Sequence, residues 1–546
     1  MAIINRSEIA QLLQRDHTLK GGIVVGIDGH IIEIQARAVE VLEDRHGEIY
    51  TLSHSDATRI SGMAGGAISE AKDRIKGAFA KLGLPETPVE ILINLTPADL
   101  PKHGTWLDLP LAIIMLQASG YLPDLPASEE QSIVLMGEIG IHGEIRRVPG
   151  VLSIAFAVGS KQKIIVPDGN HKECALVKMK PGSEDCHAYP VKTLKEVIEY
   201  FQGKHKLVNA TATSGGIRFE SAIKEHLDFS KIRGQEKAKE AALICAAGGH
   251  NLLLIGPPGE GKSLLASAIP GILPKLTNPE KVELTRIYSA CGKLDHDAMA
   301  VTRRPMRTIH SSASAGAVLG GGQGIPRPGE MTLAHLGVLF MDEFPEFNRT
   351  VLEGLRYPLE AGIVQISRSG ASLEFPARFT LVAAMNPCPC GYYTYGNCTC
   401  RPTSIQKYQK KISGPILDRI DLQVEMTKLS TDERFASTKE NQTAKCRTIV
   451  QKARNRQQAR FEGTEIPFNA AIPGGSTGDY CNFSNDGFRH YKDVVGSHSI
   501  STRSMDRLAK VARTVADINN SDMVEPVHVD KATSFVIGGI LRDAMK

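Results

Sequence analysis

One segment constrains the fold of this chain more than any other, NLLLIGPPGEGKSLLASAIP at 251–270. An apolar run ends there in a glycine-rich turn, and an apolar helical pattern begins with Lys262 and Ser263. The spacing fits G-x-x-x-x-G-K-[ST], a loop that binds phosphates between a strand and a helix. The segment therefore predicts an α/β unit that binds a nucleotide.

The loop is expected to bind ATP together with Mg²⁺. Its glycines let backbone N–H groups surround the phosphates at the N-terminus of the following helix. Lys262 is expected to contact the β- and γ-phosphates, and the Ser263 hydroxyl to bind Mg²⁺. We predict nucleotide contacts from Gly256, Pro257, Pro258, Gly259, Glu260, Gly261, Lys262 and Ser263.

Two later strands supply further candidates for this site. HLGVLFMDEFPEF predicts a buried strand that ends at Asp342 and Glu343. Asp342 is expected to bind Mg²⁺, and Glu343 to position the attacking water. FTLVAAMNP predicts another strand, ending at Asn386, whose amide is expected to hold that water. The alternatives are an acidic strand end that faces solvent and a turn asparagine.

Composition sets few limits on partners and location. An apolar fraction of 42% and a charged fraction of 23% are typical of globular chains. The net charge of +4 neither requires nor excludes nucleic acid. No apolar run reaches the roughly 18 residues of a membrane span, and charges are scattered through the N-terminal segment. We therefore predict a cytoplasmic protein without a membrane partner.

The pattern along the chain predicts an α/β protein of several domains. Strand-like and helix-like runs alternate through 1–203, and a small polar stretch at 204–216 reads as a linker. A second α/β unit, 217–430, carries the phosphate-binding loop. The remainder, 431–546, is mainly helical, with a helix from 502 that Ser501 caps.

Four motifs together resemble the ComM/YifB family, in the magnesium-chelatase-like branch of AAA+ ATPases. They are GHNLLLIGPPG, RPGEMTLAHLGVLFMDEFPEF, NPCPCG and SGPILDRIDLQVE. The resemblance covers nearly the whole chain and implies an AAA+ core followed by a C-terminal helical lid. It implies that Arg419 is an arginine finger donated to a neighbouring subunit, that Arg503 is the sensor-2 arginine, and that the subunits form a hexameric ring.

Three of these positions have a second interpretation, and one of them departs from the family pattern. Arg419 and Arg503 would each otherwise be read as members of surface salt bridges. Glu260 stands where the family commonly has a small residue, and its charge would repel the triphosphate unless the side chain points outward.

The N-terminal domain resembles the proteolytic domain of Lon. NLTPADLPKHGTWLDLPLAI and MGEIGIHGEIRRVPGVLSIAFAVG carry the likeness. The position of the Lon serine falls at Trp106, and that of its lysine at about Leu152. Because an indole cannot attack a carbonyl and a leucine cannot accept a proton, we predict a non-catalytic Lon-like domain.

Four cysteines lie within CPCGYYTYGNCTC, at Cys388, Cys390, Cys398 and Cys400. Four thiolates can surround one structural Zn²⁺ tetrahedrally. Their spacing is tighter than that of usual zinc sites, so four free, reduced cysteines remain the alternative.

Basic segments are candidates for contact with DNA. The resemblance places Arg307 and His310 in an insertion that faces the ring's pore, and Arg368 at the tip of a hairpin. Cations on such loops can bind the phosphate backbone without reading sequence. The alternative is that they pack subunits together. A further run at 444–460 has six basic residues and no acid, which suits either a nucleic-acid path or a solvated face.

The resemblance implies an ATP-driven DNA motor that promotes branch migration, either in natural transformation or in general recombination. Two alternatives stay open: a magnesium-chelatase-type partner ATPase and a chaperone-like protein remodeller.

Overall fold

The computed structural model describes most of the chain, in two compact units that we treat separately. The first unit comprises 1–222 and 277–302, and the second comprises 223–276 and 303–546. Half of the predicted linker, 211–216, lies outside the described residues, so the predicted domain boundaries stay predictions. The described residues are 6–62, 66–126, 129, 132–159, 162–179, 186–210, 227–295, 298–322, 325–368, 371–393, 396–435, 442–498 and 500–537.

The first unit is built on a mixed seven-stranded sheet. Its two long strands, Asp16–Val25 and Asp28–Val41, pair antiparallel. Three further strands are added in parallel beside Asp16–Val25. In spatial order the strands are Thr58–Ser61, Val89–Thr96, Asp28–Val41, Asp16–Val25, Ile133–Leu135, Lys163–Pro167 and His187–Val191. A small hairpin pairs Glu138–Ile139 with Ile145–Arg146.

The helices of the first unit follow from their apolar spacing. Gly66–Leu82 buries Ile68, Ala71, Ile75 and Phe79, which recur every three or four residues as on one face of a helix. Asp108–Ala118 is buried on all sides, as its continuous apolar sequence requires. The α-helices described in this unit are Arg6–Leu12, Gly66–Leu82, Asp108–Ala118, Val151–Ala157, His171–Cys174, Leu194–Phe201 and Asn278–Ala290.

The last of these helices comes from a segment that the sequence assigned to the ATPase core. Asn278–Ala290 begins with a capping box between Thr277 and Glu280. The Gly150 N–H donates to the Ser289 carbonyl at 2.9 Å, and the Ser289 hydroxyl donates to the buried carboxylate of Glu173. These contacts attach 277–302 to the first unit, although 276 and 303 belong to the second.

The buried ion pair between Arg74 and Asp108 leads to a testable prediction about the stability of this unit. Asp108 is 1% exposed, and Arg74 donates to both of its oxygens, at 2.7 and 3.0 Å. Arg74→Met is expected to lower the free energy of unfolding by about 3–5 kcal/mol, because it leaves a carboxylate buried without its partner. The chain's single tryptophan, Trp106, lies in the same unit, so urea titration followed by tryptophan fluorescence measures this loss.

Arg59→Met is the matched control, since Arg59 pairs with Glu90 at the surface and is 77% exposed. Its expected cost is under about 1 kcal/mol. Equal losses in the two variants would contradict the assignment of Arg74 as the partner that the buried carboxylate requires.

The second unit is built on a five-stranded sheet in which every strand pair is parallel. Its three inner strands, Leu252–Ile255, Val338–Met341 and Thr380–Met385, are buried on both faces, which explains their continuous apolar runs. In spatial order they are Met306–Ile309, Val338–Met341, Thr380–Met385, Leu252–Ile255 and Leu422–Glu425. Two hairpins accompany the sheet, Gly320–Gly321 with Arg327–Pro328 and Ile363–Arg368 with Ala371–Pro376.

Helices cover this sheet and form the C-terminal part of the unit. Thr502–Ile518 begins at the predicted cap, where the Ser501 hydroxyl accepts from the Ser504 N–H at 3.3 Å. None of the helices in the described ranges is both long and apolar enough to cross a bilayer. The α-helices described here are Glu236–Gly248, Lys262–Ile272, Ala315–Leu319, Glu330–Leu333, Arg349–Gly354, Arg356–Ala361, Pro402–Gln409, Gly414–Leu417, Thr431–Phe435, Gln442–Arg460, Thr477–Tyr480, Asn485–His498, Thr502–Ile518 and Pro526–Val536.

Candidate nucleotide-binding site

The carboxyl ends of three central strands create the site. Strands Leu252–Ile255, Val338–Met341 and Thr380–Met385 run parallel and side by side. Each therefore delivers the residues that follow it to the same edge of the sheet. The phosphate-binding loop, Asp342 and Asn386 meet at that edge.

The loop at 256–261 depends on glycine where the backbone is crowded or turned. A Cβ on Gly256 would lie 2.7 Å from the Met426 carbonyl oxygen, so a larger residue would force the backbone apart. Gly261 has φ of +85° and ends the loop directly before helix Lys262–Ile272. The N-terminus of that helix then presents its free N–H groups to the loop, an arrangement that suits an anion.

Lys262 is the buried cation of the site. Its Nζ donates to the carbonyl oxygens of Gly256 and Pro257, at 2.7 and 2.9 Å, and to Asn386 Oδ1 at 3.0 Å. Burial lowers the pKa of the Lys262 ammonium, and the negative charges of Asp342 and Glu260 oppose that shift. A phosphate would therefore meet a positive charge that is held in place by three oxygen acceptors and largely removed from water.

Ser263 and Asp342 form a second contact at this edge. The Ser263 hydroxyl donates to Asp342 Oδ2 at 2.9 Å, although the two residues are 79 positions apart. A hydroxyl and a carboxylate are both oxygen ligands of the kind that Mg²⁺ prefers. The pair therefore fits the metal that a nucleotide would bring with it.

Glu343 has a strained backbone at the mouth of the site. Its φ of +51° is uncommon for a residue with a side chain, and its N–H donates to Asp342 Oδ1 at 2.9 Å. The exposed carboxylate accepts from the Ser311 hydroxyl at 3.4 Å. Strain of this kind persists where the surroundings fix it, and it is frequent at functional sites.

Glu260, the residue that departs from the family pattern, is anchored beside the loop. Its Oε2 accepts from the Leu429 N–H at 3.3 Å, and the side chain is half-buried. Because its charge is directed to a backbone amide, Glu260 links the phosphate-binding loop to the segment that follows strand Leu422–Glu425.

Arg419 and Arg503 are not joined to Lys262 by any bond among the described residues. The Arg419 guanidinium donates to the Pro415 carbonyl at 2.7 Å and pairs with the carboxylate of Glu360. Arg503 is exposed in the first turn of helix Thr502–Ile518. Their predicted roles need a neighbouring subunit or a bound nucleotide, and they stay predictions.

Sequence reasoning missed Arg507, which supports the turn that carries Arg419. Its buried Nη1 donates to the carbonyl oxygens of Leu417 and Ile420, at 3.0 and 2.7 Å. Asn251 Nδ2 donates to the Arg419 carbonyl at 2.8 Å and fixes the same turn from the sheet. The only sequence signal was the spacing of four residues from Arg503, which places the two arginines on one helical face.

The four predicted cysteine ligands lie together directly after Asn386. Their sulfur atoms are all within 4.8 Å of one another, in a cluster formed by Cys388, Cys390, Cys398 and Cys400. The loop also touches the nucleotide site, since a Cβ on Gly391 would lie 2.6 Å from Pro258 Cδ and 3.8 Å from Asn386 Cγ. Gln409 Nε2 donates to the Pro387 carbonyl at 2.9 Å and so joins the start of the loop to helix Pro402–Gln409.

Local hydrogen bonds within the loop contribute to different thiol pKa values for its cysteines. The Tyr392 N–H is the main cause that lowers the pKa of the Cys390 thiol to about 6. Cys398 instead has a pKa raised to about 12, with burial and its cysteine neighbours disfavouring the thiolate against an opposing bond from the Cys400 N–H. Within the cluster the Cys390 thiol therefore ionises at a lower pH than the Cys398 thiol, because their pKa values are shifted in opposite directions.

The three candidate DNA contacts lie in different surroundings. Arg307 donates to both oxygens of Glu330, at 2.5 and 2.9 Å, so its guanidinium already has an anionic partner. His310 is exposed directly after strand Met306–Ile309. Arg368 ends the first strand of the hairpin, and its side chain lies outside the described residues.

The arginines of the basic run at 444–460 pack against the second unit, whereas Lys445 and Lys452 are exposed, so both interpretations of the run stay open. Arg447 and Arg454 donate to the Gly271 and Ala246 carbonyls, at 2.8 and 3.2 Å. Arg460 pairs with the fully buried carboxylate of Asp517. The helix is therefore a packed part of the second unit, because its arginines satisfy carbonyls and acids of neighbouring helices.

In the first unit, the two positions that stand for the Lon dyad are occupied by packing groups. Trp106 Nε1 donates to the Pro149 carbonyl at 2.6 Å, and Leu152 is completely buried. The hydroxyl of the adjacent Ser153 donates to the Ile27 carbonyl at 2.7 Å. The Lon likeness of this unit stays a prediction.

Three magnesium chelatase families match consecutive parts of the chain. "Subunit ChlI of Mg-chelatase" matches 48–170, and "Magnesium chelatase, subunit ChlI" matches 228–434, which contains the whole site described above. "Magnesium chelatase, subunit ChlI C-terminal" matches 440–535.

Two individual relatives cover most of the chain, and a magnesium-chelatase subunit covers a smaller part of it. The protein YifB of Escherichia coli (strain K12) is 40% identical over 87% of this chain and 90% of its own. The competence protein ComM of Haemophilus influenzae is 37% identical over 89% of this chain and 93% of its own. The magnesium-chelatase 38 kDa subunit of Rhodobacter capsulatus is 29% identical over 29% of this chain and 50% of its own. This chain therefore belongs to the ComM/YifB family of magnesium-chelatase-like proteins.

Proposed function

We propose that this protein is an ATP-dependent DNA motor, in which a hexameric ring promotes branch migration during recombination or natural transformation. Its AAA+ family supports an ATPase. The observation that carries the proposal is the convergence of Lys262, Ser263, Asp342 and Asn386 at one sheet edge. Similarity to a competence protein over most of the chain supports DNA as the substrate.

The roles at the site follow from chemistry and position. Lys262 neutralises the β- and γ-phosphates, and Ser263 with Asp342 holds Mg²⁺, which supplies charge neutralisation on the phosphates. Glu343 orients the attacking water, and Asn386 keeps it beside the γ-phosphate. Arg419 reaches the nucleotide of the neighbouring subunit, and Arg503 closes the helical lid over its own.

The proposed DNA contacts lie on or directly after the outer strand Met306–Ile309 and in the hairpin that precedes strand Thr380–Met385. His310 is exposed, and Arg368 is the last residue of the hairpin's first strand. Arg307 would have to give up Glu330 to bind a phosphate, so it contributes less to the proposal.

DNA-dependent ATP turnover tests the proposal. Purified full-length protein is assayed alone, with single-stranded DNA, with duplex and with a four-way junction. We expect DNA to raise the turnover at least about tenfold, because ordering of the ring around its track places the trans arginine. A genuine basal rate that no form of DNA changes would contradict the motor.

A second candidate is a partner ATPase of the magnesium-chelatase type, favoured by three family matches that all describe a chelatase subunit. Stimulation of turnover by a porphyrin, and not by DNA, would identify that activity. Stimulation by an unfolded protein alone would instead identify a protein remodeller.

The four cysteines are proposed to bind one structural Zn²⁺. Three of their sulfur separations are 3.3, 3.6 and 3.7 Å. Four thiolates at the usual Zn–S distance of about 2.3 Å in a tetrahedron are about 3.8 Å apart, whereas bonded sulfurs are about 2.05 Å apart. The cluster therefore fits a metal and not a disulfide.

Loss of this metal is expected to impair ATP hydrolysis. Cys398→Ser/Cys400→Ser should lower the zinc content from one per chain to none and the turnover about tenfold, because the loop supports Pro258 and a misplacement of about 1 Å is costly. Metal analysis and steady-state ATPase measure both. Cys446→Ser, outside the cluster, is the control. Wild-type turnover in a zinc-free variant would contradict this role.

A further inference from the structure

Two tyrosines of the four-cysteine loop have side chains that face solvent. Tyr392 and Tyr393 are 42% and 46% exposed. They follow Gly391, whose backbone packs against Pro258, so the exposed rings begin from a backbone that is held in place. A pair of exposed aromatic rings on such a loop is a surface that an unstacked base can cover.

The same part of the chain is free of acidic residues. From Asn386 to Leu417 there is no aspartate or glutamate, but four basic residues, all exposed, at Arg401, Lys407, Lys410 and Lys411. Lys411 donates to Glu346 at 2.7 Å. Within the ranges that the structure describes, the other three have no ion pair. Three cations without an acidic partner attract a polyanion.

The cysteine cluster joins the part of the loop that carries the tyrosines to the part that leads into Arg401. Cys390 and Cys400 have their sulfur atoms within 4.8 Å of each other. Tyr392 is two residues beyond Cys390, and Arg401 directly follows Cys400, so each lies within about 8 Å of the cluster along the backbone. Arg401 then caps helix Pro402–Gln409.

Lys407 and Lys410 extend the surface along that helix. They are three residues apart and therefore lie on the same side of it. The helix of eight residues is about 12 Å long, so the cations continue from the tyrosines over a distance that several nucleotides can follow.

We infer that this tyrosine–lysine surface, formed by Tyr392, Tyr393, Arg401, Lys407 and Lys410, binds single-stranded nucleic acid. Unpaired bases stack on the two tyrosines, and the three cations bind the phosphates of the same strand. A duplex keeps its bases stacked inside and offers only its phosphates, so the surface distinguishes the two forms. The inference rests on the proposed function and names the form of DNA that this part of the protein contacts.

Binding of labelled DNA to the full-length protein tests the inference. Fluorescence anisotropy compares oligo-dT of about 30 nucleotides with a duplex of equal length. Tyr392→Ala/Tyr393→Ala is expected to weaken binding of oligo-dT at least about tenfold, because each stacked base is lost. Duplex affinity should change less than about twofold, since phosphate contacts remain. Basal ATP turnover and zinc content should match those of the wild type.

Lys407→Gln/Lys410→Gln separates the phosphate contribution. It is expected to weaken binding of both DNA forms and to reduce the slope of log Kd against log salt for oligo-dT by about 1.4, about 0.7 for each lost phosphate contact. Tyr357→Ala is the matched control, because Tyr357 is 51% exposed on a different helix.

Each outcome of these binding experiments either supports or contradicts the inference. If wild-type protein binds oligo-dT and the tyrosine variant binds it equally well, this inference is wrong and the motor stands. Failure of the wild type to bind DNA of any form contradicts both. If the tyrosine variant instead loses ring assembly in sedimentation velocity, the surface contacts a second copy of the chain and not nucleic acid.

Discussion

Glu343→Gln is expected to lower steady-state ATP turnover by at least about 100-fold while ATP affinity changes less than about threefold. The amide has nearly the shape of the carboxylate but cannot accept the proton of the attacking water. Nucleotide binding is proposed to depend on Lys262, Ser263 and Asp342. Lys262 donates to carbonyl oxygens of the loop and Ser263 donates to Asp342, and neither contact involves the Glu343 side chain. Turnover is measured by phosphate release, and affinity by titration with a fluorescent ATP analogue.

Glu346→Gln is the matched control for that result. Glu346 is an exposed acid three residues further on, and its carboxylate pairs with Lys411. We expect it to retain wild-type turnover. If Glu343→Gln hydrolyses ATP within about threefold of the wild type, then Glu343 does not orient the water, whatever its strained backbone suggests.

Arg419→Ala is expected to lower turnover by about 1000-fold, the usual contribution of an arginine finger. Lys262→Ala should be equally inactive, because the phosphates lose their buried cation. A mixture of these two variants tests whether Arg419 acts on the neighbouring subunit. If Arg419 acts on the neighbouring subunit, an intact finger from one variant meets an intact loop from the other.

Equal amounts of the two variants, mixed and allowed to exchange subunits, should therefore regain about one quarter of wild-type turnover, the share of interfaces with both groups intact. Arg489→Ala, which removes a surface arginine paired with Asp486, should be fully active on its own. A mixture as inactive as its components would show that Arg419 serves its own subunit or none.

The strands and helices that position the site were predictable because their sequences are locally unambiguous. Continuous apolar runs predicted strands that the structure confirms at 252–255, 338–341 and 380–385. Since parallel strands end at the same edge, the proximity of Lys262 to Asn386, 124 residues away, was also expected. The chemical roles of these residues stay predictions, because proximity does not measure activity.

Features that depend on contacts between distant parts of the chain could not be predicted from the sequence. Nothing local indicates that helix Asn278–Ala290 packs with the first unit, because that choice depends on Glu173 and Gly150, more than a hundred residues earlier. The charge pattern of 444–460 did not indicate that its arginines pack, since the carbonyls and the buried Asp517 that they bind come from distant elements. A local charge pattern does not indicate which charged side chains will be buried by partners that are distant in the sequence.

The central claim is that ATP hydrolysis at Lys262 moves DNA, and junction dissociation tests it most directly. A labelled four-way junction is incubated with full-length protein and either ATP or a non-hydrolysable analogue, and the separated duplexes are followed by electrophoresis. We expect dissociation with ATP, none with the analogue and none with Glu343→Gln. An intact junction under conditions in which the protein hydrolyses ATP and binds the DNA would contradict the motor.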